Sequence, residues 1–437
     1  MGIDPDRSRP RWVLPLHMVS VALVQAVGMA VAFILPVVAR KEFGAKDWQT
    51  LLITATPTIF FSLSIFWNDV FARLRFGRYL LLYWLIGCLP LAGIALARDY
   101  WSLLVPHLIA CVGGAGYHPA AGDLLKSLYS DRQRGRIYSL VWGFSSVCGA
   151  AAGWGIGEWL THVSQAFRLY MPLAAVVQLV GVLMMIALSY FTGHAAAKAA
   201  RPRPDHNLSR VFEPVSHAKE VLKADPIFAR YEAAYMTYGI GWMIAYALLP
   251  IIVTDKLHLE YDQVARSTHV AYWLPLVAMI PIAGWMIDRL GAVRSTGLSF
   301  LMLTLYPVGL ALATGAKSLT WITVWYGLAH AGASMGWMLG PVALAPTPAK
   351  VPQYVAIHAT LVGIRGKLFQ GLGVLLYWMV GGFALPLAVA AGAYVWAAWQ
   401  MWSLHGRMQR EKRAEGTTSP PPQPDDELKA ESEAIPR

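Results

Sequence analysis

Residues 357–377, IHATLVGIRGKLFQGLGVLLY, have the length and apolar content of a membrane-spanning helix, yet Arg365 and Lys367 stand in their middle. Whether those two cations belong to a membrane span decides the fold, because the rest of the chain is built for lipid. Of its 437 residues, 56% are hydrophobic and only 14% charged, which is more apolar surface than a soluble core can hide. A helix needs about 20 mostly apolar residues to cross a hydrocarbon layer of roughly 30 Å, where its backbone finds no partner outside the segment. Twelve segments meet that need, at 12–38, 49–68, 79–97, 101–125, 137–160, 169–192, 227–253, 264–287, 293–314, 319–345, 354–381 and 384–404. The opening stretch lies in the eleventh. The first segment is too long for the apolar core of a secretory signal, and VARKEFGAKDW after it lacks a small-residue cleavage pattern, so a retained helix is expected.

Lys and Arg are retained on the cytoplasmic side of membrane proteins. With both termini inside, the cytoplasmic segments hold 26 of these residues and the outer ones 8, which favours an even number of crossings. The same bias accounts for the net charge of +11 as topology signals and contacts to anionic headgroups, without nucleic acid. Cys88, Cys111 and Cys148 all fall inside spans and read as small buried apolar residues rather than a disulfide framework. The sequon at Asn207 lies in a cytoplasmic connection on this topology and is not expected to be glycosylated.

Two polar stretches interrupt the rhythm. Residues 193–226 are basic and Pro-punctuated and divide the spans six and six, while the tail EKRAEGTTSPPPQPDDELKAESEAIPR is too polar to order itself. The expected organisation is a six-helix bundle over 1–192, a cytoplasmic connection over 193–226, a second six-helix bundle over 227–405 and a disordered cytoplasmic tail over 406–437. The halves echo each other weakly: GWMIDRLGAVR joins spans eight and nine, and ARLRFGRYLLL joins spans two and three.

Six plus six helices, a basic central connection and GWMIDRLGAVR together resemble the major facilitator superfamily. Its signature runs Gly, three residues, Asp, a basic residue, any residue, Gly, any residue, then a basic residue. Gly284, Asp288, Arg289, Gly291 and Arg294 match it in the second half. In the first half Arg75, Gly77 and Arg78 fit, but Leu74 takes the acidic position and Asp69 comes five residues too early. The resemblance covers roughly residues 10–405. It implies an all-helical integral membrane protein of twelve spans, in two bundles related by a pseudo-two-fold axis, that moves a small solute by alternating access. It also implies a gating role for the matched loop. There Gly permits a tight turn, and a carboxylate near a helix end can hold a dipole or a neighbouring cation in one conformation and release it in another.

The family architecture implies a cavity lined by the first, fourth, seventh and tenth helices. Span four sets His107, Cys111, Gly114 and His118 on one face, span seven sets Tyr231, Tyr235, Tyr238, Trp242 and Tyr246 on another, span ten aligns Tyr326, His330, Ser334, Trp337 and Pro341, and span one offers Gln25. Mid-depth polar groups are costly to bury unpaired and tend to face a wet interior, so Gln25, His118, Tyr238, Trp242, His330 and Trp337 are the substrate-site candidates. The outermost tyrosines, Tyr231 and Tyr246, read as an interfacial belt. Gly149, Gly153 and Gly157 repeat every fourth residue and suit close approach of a neighbouring helix; this stretch lacks the proline of the family's antiporter motif. The Gly-x-Gly of GGAGYHPAAGDLL lies inside a span with no preceding strand and is no nucleotide loop.

Arg365 follows His358 by seven residues and shares its face, whereas Lys367 points nearly opposite and has a stem that can snorkel to the headgroups. Arg365 and His358 join the substrate-site candidates. Acids at mid-membrane are scarce, Asp123, Glu232 and Glu158 all falling near span ends, and Asp123 and His118 are the candidates for carrying a coupling proton. With an Arg, several His and no deep acid, the expected solute is anionic or polar. Efflux of amphipathic compounds and a transport-inactive membrane receptor are the alternatives. No HExxH pair, Walker loop or Cys/His cluster is present, so neither an enzyme nor a metal or cofactor site is expected. The expected setting is the inner cell membrane as a monomer, with the lipid bilayer, the solute and protons as its partners and no nucleic acid.

Overall fold

The computed structural model describes residues 10–200, 218–347 and 350–418. All regular structure among the described residues is helical. Among the described residues, nine helices are long and apolar enough to cross a membrane: Val13–Phe43, Phe76–Leu96, Arg136–His162, Phe167–Phe191, Pro226–Lys256, Tyr261–Leu290, Ala292–Leu312, Gln353–Val380 and Ala384–Glu411. A tenth crossing is formed if Asp47–Phe61 and Phe66–Arg73, bent by 53°, count as one span. The other two expected spans differ from this set. Span ten is one 29-residue helix, Ala316–Leu344. Span four is broken into Tyr100–Gly114 and Tyr117–Leu128.

That break is made by tertiary packing. Trp67 packs so closely on Gly116 that an added Cβ would lie 2.9 Å from its ring, and the Gly116 carbonyl is turned out to accept from Tyr79 Oη at 2.7 Å. The His107-to-His118 face expected on one straight helix is therefore split across two. Other helix ends follow ordinary capping. Asp99 accepts from the Ser102 amide at 2.8 Å, and these Ser102 bonds hold its carboxyl below the usual range. Asp225 accepts from the Phe228 amide with Pro226 at the first turn, and Gly44 ends the first helix at φ 63°.

Within the first half, Val13–Phe43 packs along Asp131–His162 and Phe167–Phe191; within the second, Pro226–Ile251 packs along Val351–Val380 and Ala384–Thr418. The halves meet where Asp47–Phe61 lies against Val351–Val380 and where Asp131–His162 lies against the π-helical turn Ala265–Val270. The glycine repeat makes the second contact possible. A Cβ on Gly153 would sit 2.2 Å from the His269 ring and one on Gly157 2.5 Å from Ala265, while the Gly149 carbonyl is 3.0 Å from His269 Nε2. Large apolar side chains such as Leu85, Leu169, Leu183, Trp321 and Leu375 are exposed around the bundle, as a lipid-facing surface requires.

The end of the bundle remote from the chain termini is tied shut by polar contacts between halves. Arg40 binds Asp255 and donates to Thr254 at 2.8 Å, Lys41 meets Glu260 at 2.9 Å, Arg266 binds Glu158, and Tyr261 Oη donates to Glu42 at 2.9 Å. Parts of both polar stretches are helical among the described residues. The connection carries helices His194–Ala199 and Ala218–Ala224, with Lys198 Nζ donating to the Phe71 carbonyl at 2.8 Å, and residues 201–217 lie outside the described residues. The last helix runs on to Thr418 rather than ending near 404, because MQREKRAEG is polar yet made mostly of good helix formers. Residues 419–437 lie outside the described residues.

Candidate functional site

Arg365 is 2% exposed, in the middle of Val351–Val380. Room for its stem comes from the facing helix, where a Cβ on Gly239 would lie 2.3 Å from Arg365 Cδ. Nη1 donates to the Tyr235 carbonyl at 2.8 Å, and Nε is buried without a partner. The guanidinium lies 5.3 Å from the Tyr238 ring centre and 5.4 Å from that of Trp242. No carboxylate among the described residues forms an ion pair with it. A guanidinium has five N–H donors, so this arrangement leaves most of its capacity unused. Beside it lies a cavity of about 240 Å³. Its walls come from Tyr138, Ser139 and Trp142 in the first half and from Tyr235, Tyr238, Trp242, Ile280, His330, Ser334, Trp337 and Val362 in the second.

The aromatic walls are fixed by hydrogen bonds. Tyr231 Oη donates to the Gly336 carbonyl at 2.8 Å and Tyr235 Oη to the Ala333 carbonyl at 2.9 Å, so these two tyrosines clamp the seventh expected span to the tenth. Tyr231 is fully buried and is not part of an interfacial belt; Tyr246 is 40% exposed. His330 bridges two tyrosines, with Nε2 2.7 Å from Tyr238 Oη and Nδ1 2.7 Å from Tyr272 Oη. One ring nitrogen donates and the other accepts, which holds the imidazole in one plane against Tyr326. Trp337 Nε1 is buried without a partner.

Two turns toward the chain termini, His358 Nδ1 lies 2.8 Å from both oxygens of Glu232. Both residues are 2% exposed. The sequence expectation that no acid lies deep is therefore corrected, because Glu232 follows its helix start by only six residues but the helices around it cover it. His358 shares the Arg365 helix face, as its spacing predicts, yet it is committed to Glu232 and is not on the cavity wall. Its Nε2 is buried without a partner.

The remaining candidates are dispersed. Gln25 is half-buried and His118 exposed with its ring edge-on to Phe61 at 5.3 Å; neither lines the Arg365 cavity. His107 is occupied by the Ile53 carbonyl at 3.1 Å. Asp123 lies 3.1 Å from His194 at the start of the central connection. Gly291 takes the positive φ of 79° that a tight turn between Ala271–Leu290 and Ala292–Leu303 needs. Asp288 is exposed without an ion pair among the described residues, and Arg289 packs over Trp285 at 4.7 Å. Gly284 and Arg294 flank that turn, while Arg75, Gly77 and Arg78 stand at the start of Phe76–Gly87, where Asp69 binds Arg73 instead. The Lys367 side chain lies outside the described residues. Tyr138, Ser139 and Trp142 are cavity residues that the sequence did not reveal, since the glycine repeat, Cys148 and Glu158 are what stand out in the fifth span.

The sequence matches the family model described as Major Facilitator Superfamily over residues 18–377. Among curated relatives, multidrug resistance protein MdtH of Cronobacter sakazakii is 24% identical over 316 residues, 71% of this chain and 73% of that protein. MdtH of Escherichia coli is 28% identical over 228 residues, and there the chain spans about half the length of the relative, 50% of each. Among solved structures, the peptide transporter POT in complex with sulfate superposes with a TM-score of 0.73 at 13% identity, over 94% of this chain and 99% of that one. The human organic anion transporter MFSD10 gives 0.66 at 12% identity, over 90% and 100%. At such identities the likeness is one of fold.

Proposed function

The chain belongs to the major facilitator superfamily, and from that premise we propose that it carries a small anionic organic solute across the cell membrane by alternating access. It is a multi-pass membrane protein of a transporter family and not an enzyme. The reading takes the chain as twelve crossings in two six-helix bundles, with both termini and the central connection cytoplasmic. On that topology the ion-paired end faces outward, and the structure is closed to the outside.

One observation carries the choice of solute: a buried guanidinium, with a single backbone partner and a free Nε, stands beside an aromatic cavity. Leaving those donors unmet inside a membrane is costly, and a solute carboxylate or phosphonate would meet them with paired, charge-assisted bonds. The deep acid does not oppose this, because Glu232 is engaged by His358. Gln25 and His118 would contact solute only in another conformation, and Tyr238, Trp242, His330 and Trp337 shape the pocket now. Asp123, His118 and the Glu232–His358 pair are the groups through which a proton would be coupled.

Uptake into proteoliposomes tests the reading with matched solutes, an acid and an amine of the same skeleton. The acid should be taken up and the amine should not, and Arg365→Gln should abolish the difference. Amine flux equal to acid flux and indifferent to Arg365 would overturn it. A second reading is efflux of amphipathic compounds. The aromatic walls and the name of the MdtH relatives favour it, and direction of net flux under an imposed gradient separates the two.

A further inference from the structure

We propose that the site has two compartments and takes an elongated amphipathic anion, its charged group at Arg365 and its aromatic or alkyl body reaching past Trp242 into a second cavity. The inference rests on the reading of Arg365 as the anion-binding group. The second cavity, about 320 Å³, lies between the halves on the side of the ion-paired end, with Met29 and Phe33 of the first half facing Tyr246, Tyr272 and Thr323 of the second. Trp242 stands on the wall of both cavities. Its ring centre is 5.4 Å from the Arg365 guanidinium on one side and 6.4 Å from the Tyr246 ring on the other. His330 bridges the same partition, bonded to Tyr238 on the Arg365 side and to Tyr272 on the far side.

The two chambers differ in chemistry, and that difference sets the polarity of the ligand. The Arg365 chamber holds a cation with unused donors. The second is walled mainly by aromatic and aliphatic groups, with Thr268 and Thr323 among them, and has no Asp, Glu, Lys or Arg on its lining. Its one imidazole, His269, is spent on the Gly149 carbonyl and stacks on Phe33 at 4.4 Å. A solute charged at both ends would leave one charge without a partner there, whereas an apolar body would be stabilised by burial and by ring contacts. The partition is itself a pair of aromatic faces, suited to stacking against a body that crosses it.

The probes are phenylacetate, 4-phenylbutyrate and 6-phenylhexanoate, with 6-phenylhexan-1-ol as the uncharged control, titrated calorimetrically into purified protein in lipid nanodiscs. With each added methylene carried into apolar surroundings, 6-phenylhexanoate should bind at least about tenfold more tightly than phenylacetate, and the alcohol should bind far more weakly than its acid. Thr323→Phe, which fills the second cavity from one side, should bring the ratio of the two acids to within about twofold. Ala32→Phe fills it from the other half and serves if the first variant does not fold. Length-independent binding in the wild type, or an unchanged ratio in the filled variants, overturns the two-compartment inference. Binding of all three acids by Arg365→Gln as tightly as by the wild type overturns instead the reading of Arg365 on which it rests.

Discussion

Arg40 and Arg365 are both largely withdrawn from solvent, Arg40 with 9% of its side chain exposed and Arg365 with 2% of its surface exposed. Arg40 is met from all sides, by Asp47 at 3.0 Å, Thr50 at 3.1 Å, Thr254 at 2.8 Å and Asp255. Arg365 has one carbonyl and two aromatic faces. On the proposed function, the same cation is saturated where it fastens two halves of a protein together and left open where the solute binds. A buried charge whose protein partners are complete is a strut; one left with free donors beside a cavity is, on that proposal, a receptor.

The largest effect should come from the open arginine. Arg365→Gln is expected to lower uptake of an acidic solute by about 100-fold or more, and Arg365→Lys by roughly tenfold, since lysine keeps the charge but loses the planar fork. Neither should alter the ion-paired end, as read by the spacing of spin labels placed at Lys46 and His258. Arg40→Gln should do the reverse. It leaves Asp47 and Asp255 facing each other, so the label distance should lengthen in a sizeable fraction of molecules, while the preference for acid over amine persists in whatever flux remains. A loss of solute preference in Arg40→Gln would erase the distinction between the two arginines.

A smaller effect is expected at the turn after Ala271–Leu290. Asp288→Asn should slow transport a few-fold at unchanged expression, because the exposed carboxylate has no partner among the described residues here and can gain one only in another conformation. Wild-type rates in that variant would remove it from gating. The smallest belongs to Lys367→Gln, whose uptake should stay within about twofold of wild type, because a snorkelling ammonium contributes little to a cavity. A loss matching that of Arg365→Gln would show that position in the helix, and not the open guanidinium, is what matters.

Much of the architecture could be read in advance, for physical reasons that differ by element. Apolar length marks a crossing because lipid allows nothing else, which is why helices such as Val13–Phe43 and Phe167–Phe191 lie where expected. The break at Ala115–Gly116 could not be read, since it depends on where Trp67 packs, a contact 49 residues away in sequence. Arg365 stood out because a guanidinium amid apolar residues is conspicuous at any register. Glu232 did not, because its burial is decided by the helices that cover it and not by its distance from a helix start. Tyr138, Ser139 and Trp142 face the cavity through the rotation of a glycine-rich helix against Ala265–Val270, a packing outcome with no local sequence signal. Residues 406–418 are helical although polar, because most of them have high helix propensity, which polarity alone does not report.

The proposed function requires that the free donors of Arg365 be there for an anion. The most direct measurement is the shift in unfolding temperature of the purified protein on adding phenylacetate, phenylacetamide or phenethylamine, compared between wild type, Arg365→Lys and Arg365→Gln. A concentration-dependent rise for the acid alone, reduced in the lysine variant and absent in the glutamine variant, is the predicted result. Equal stabilisation of all three proteins by the acid, or stabilisation of the wild type by the amine as much as by the acid, would contradict it.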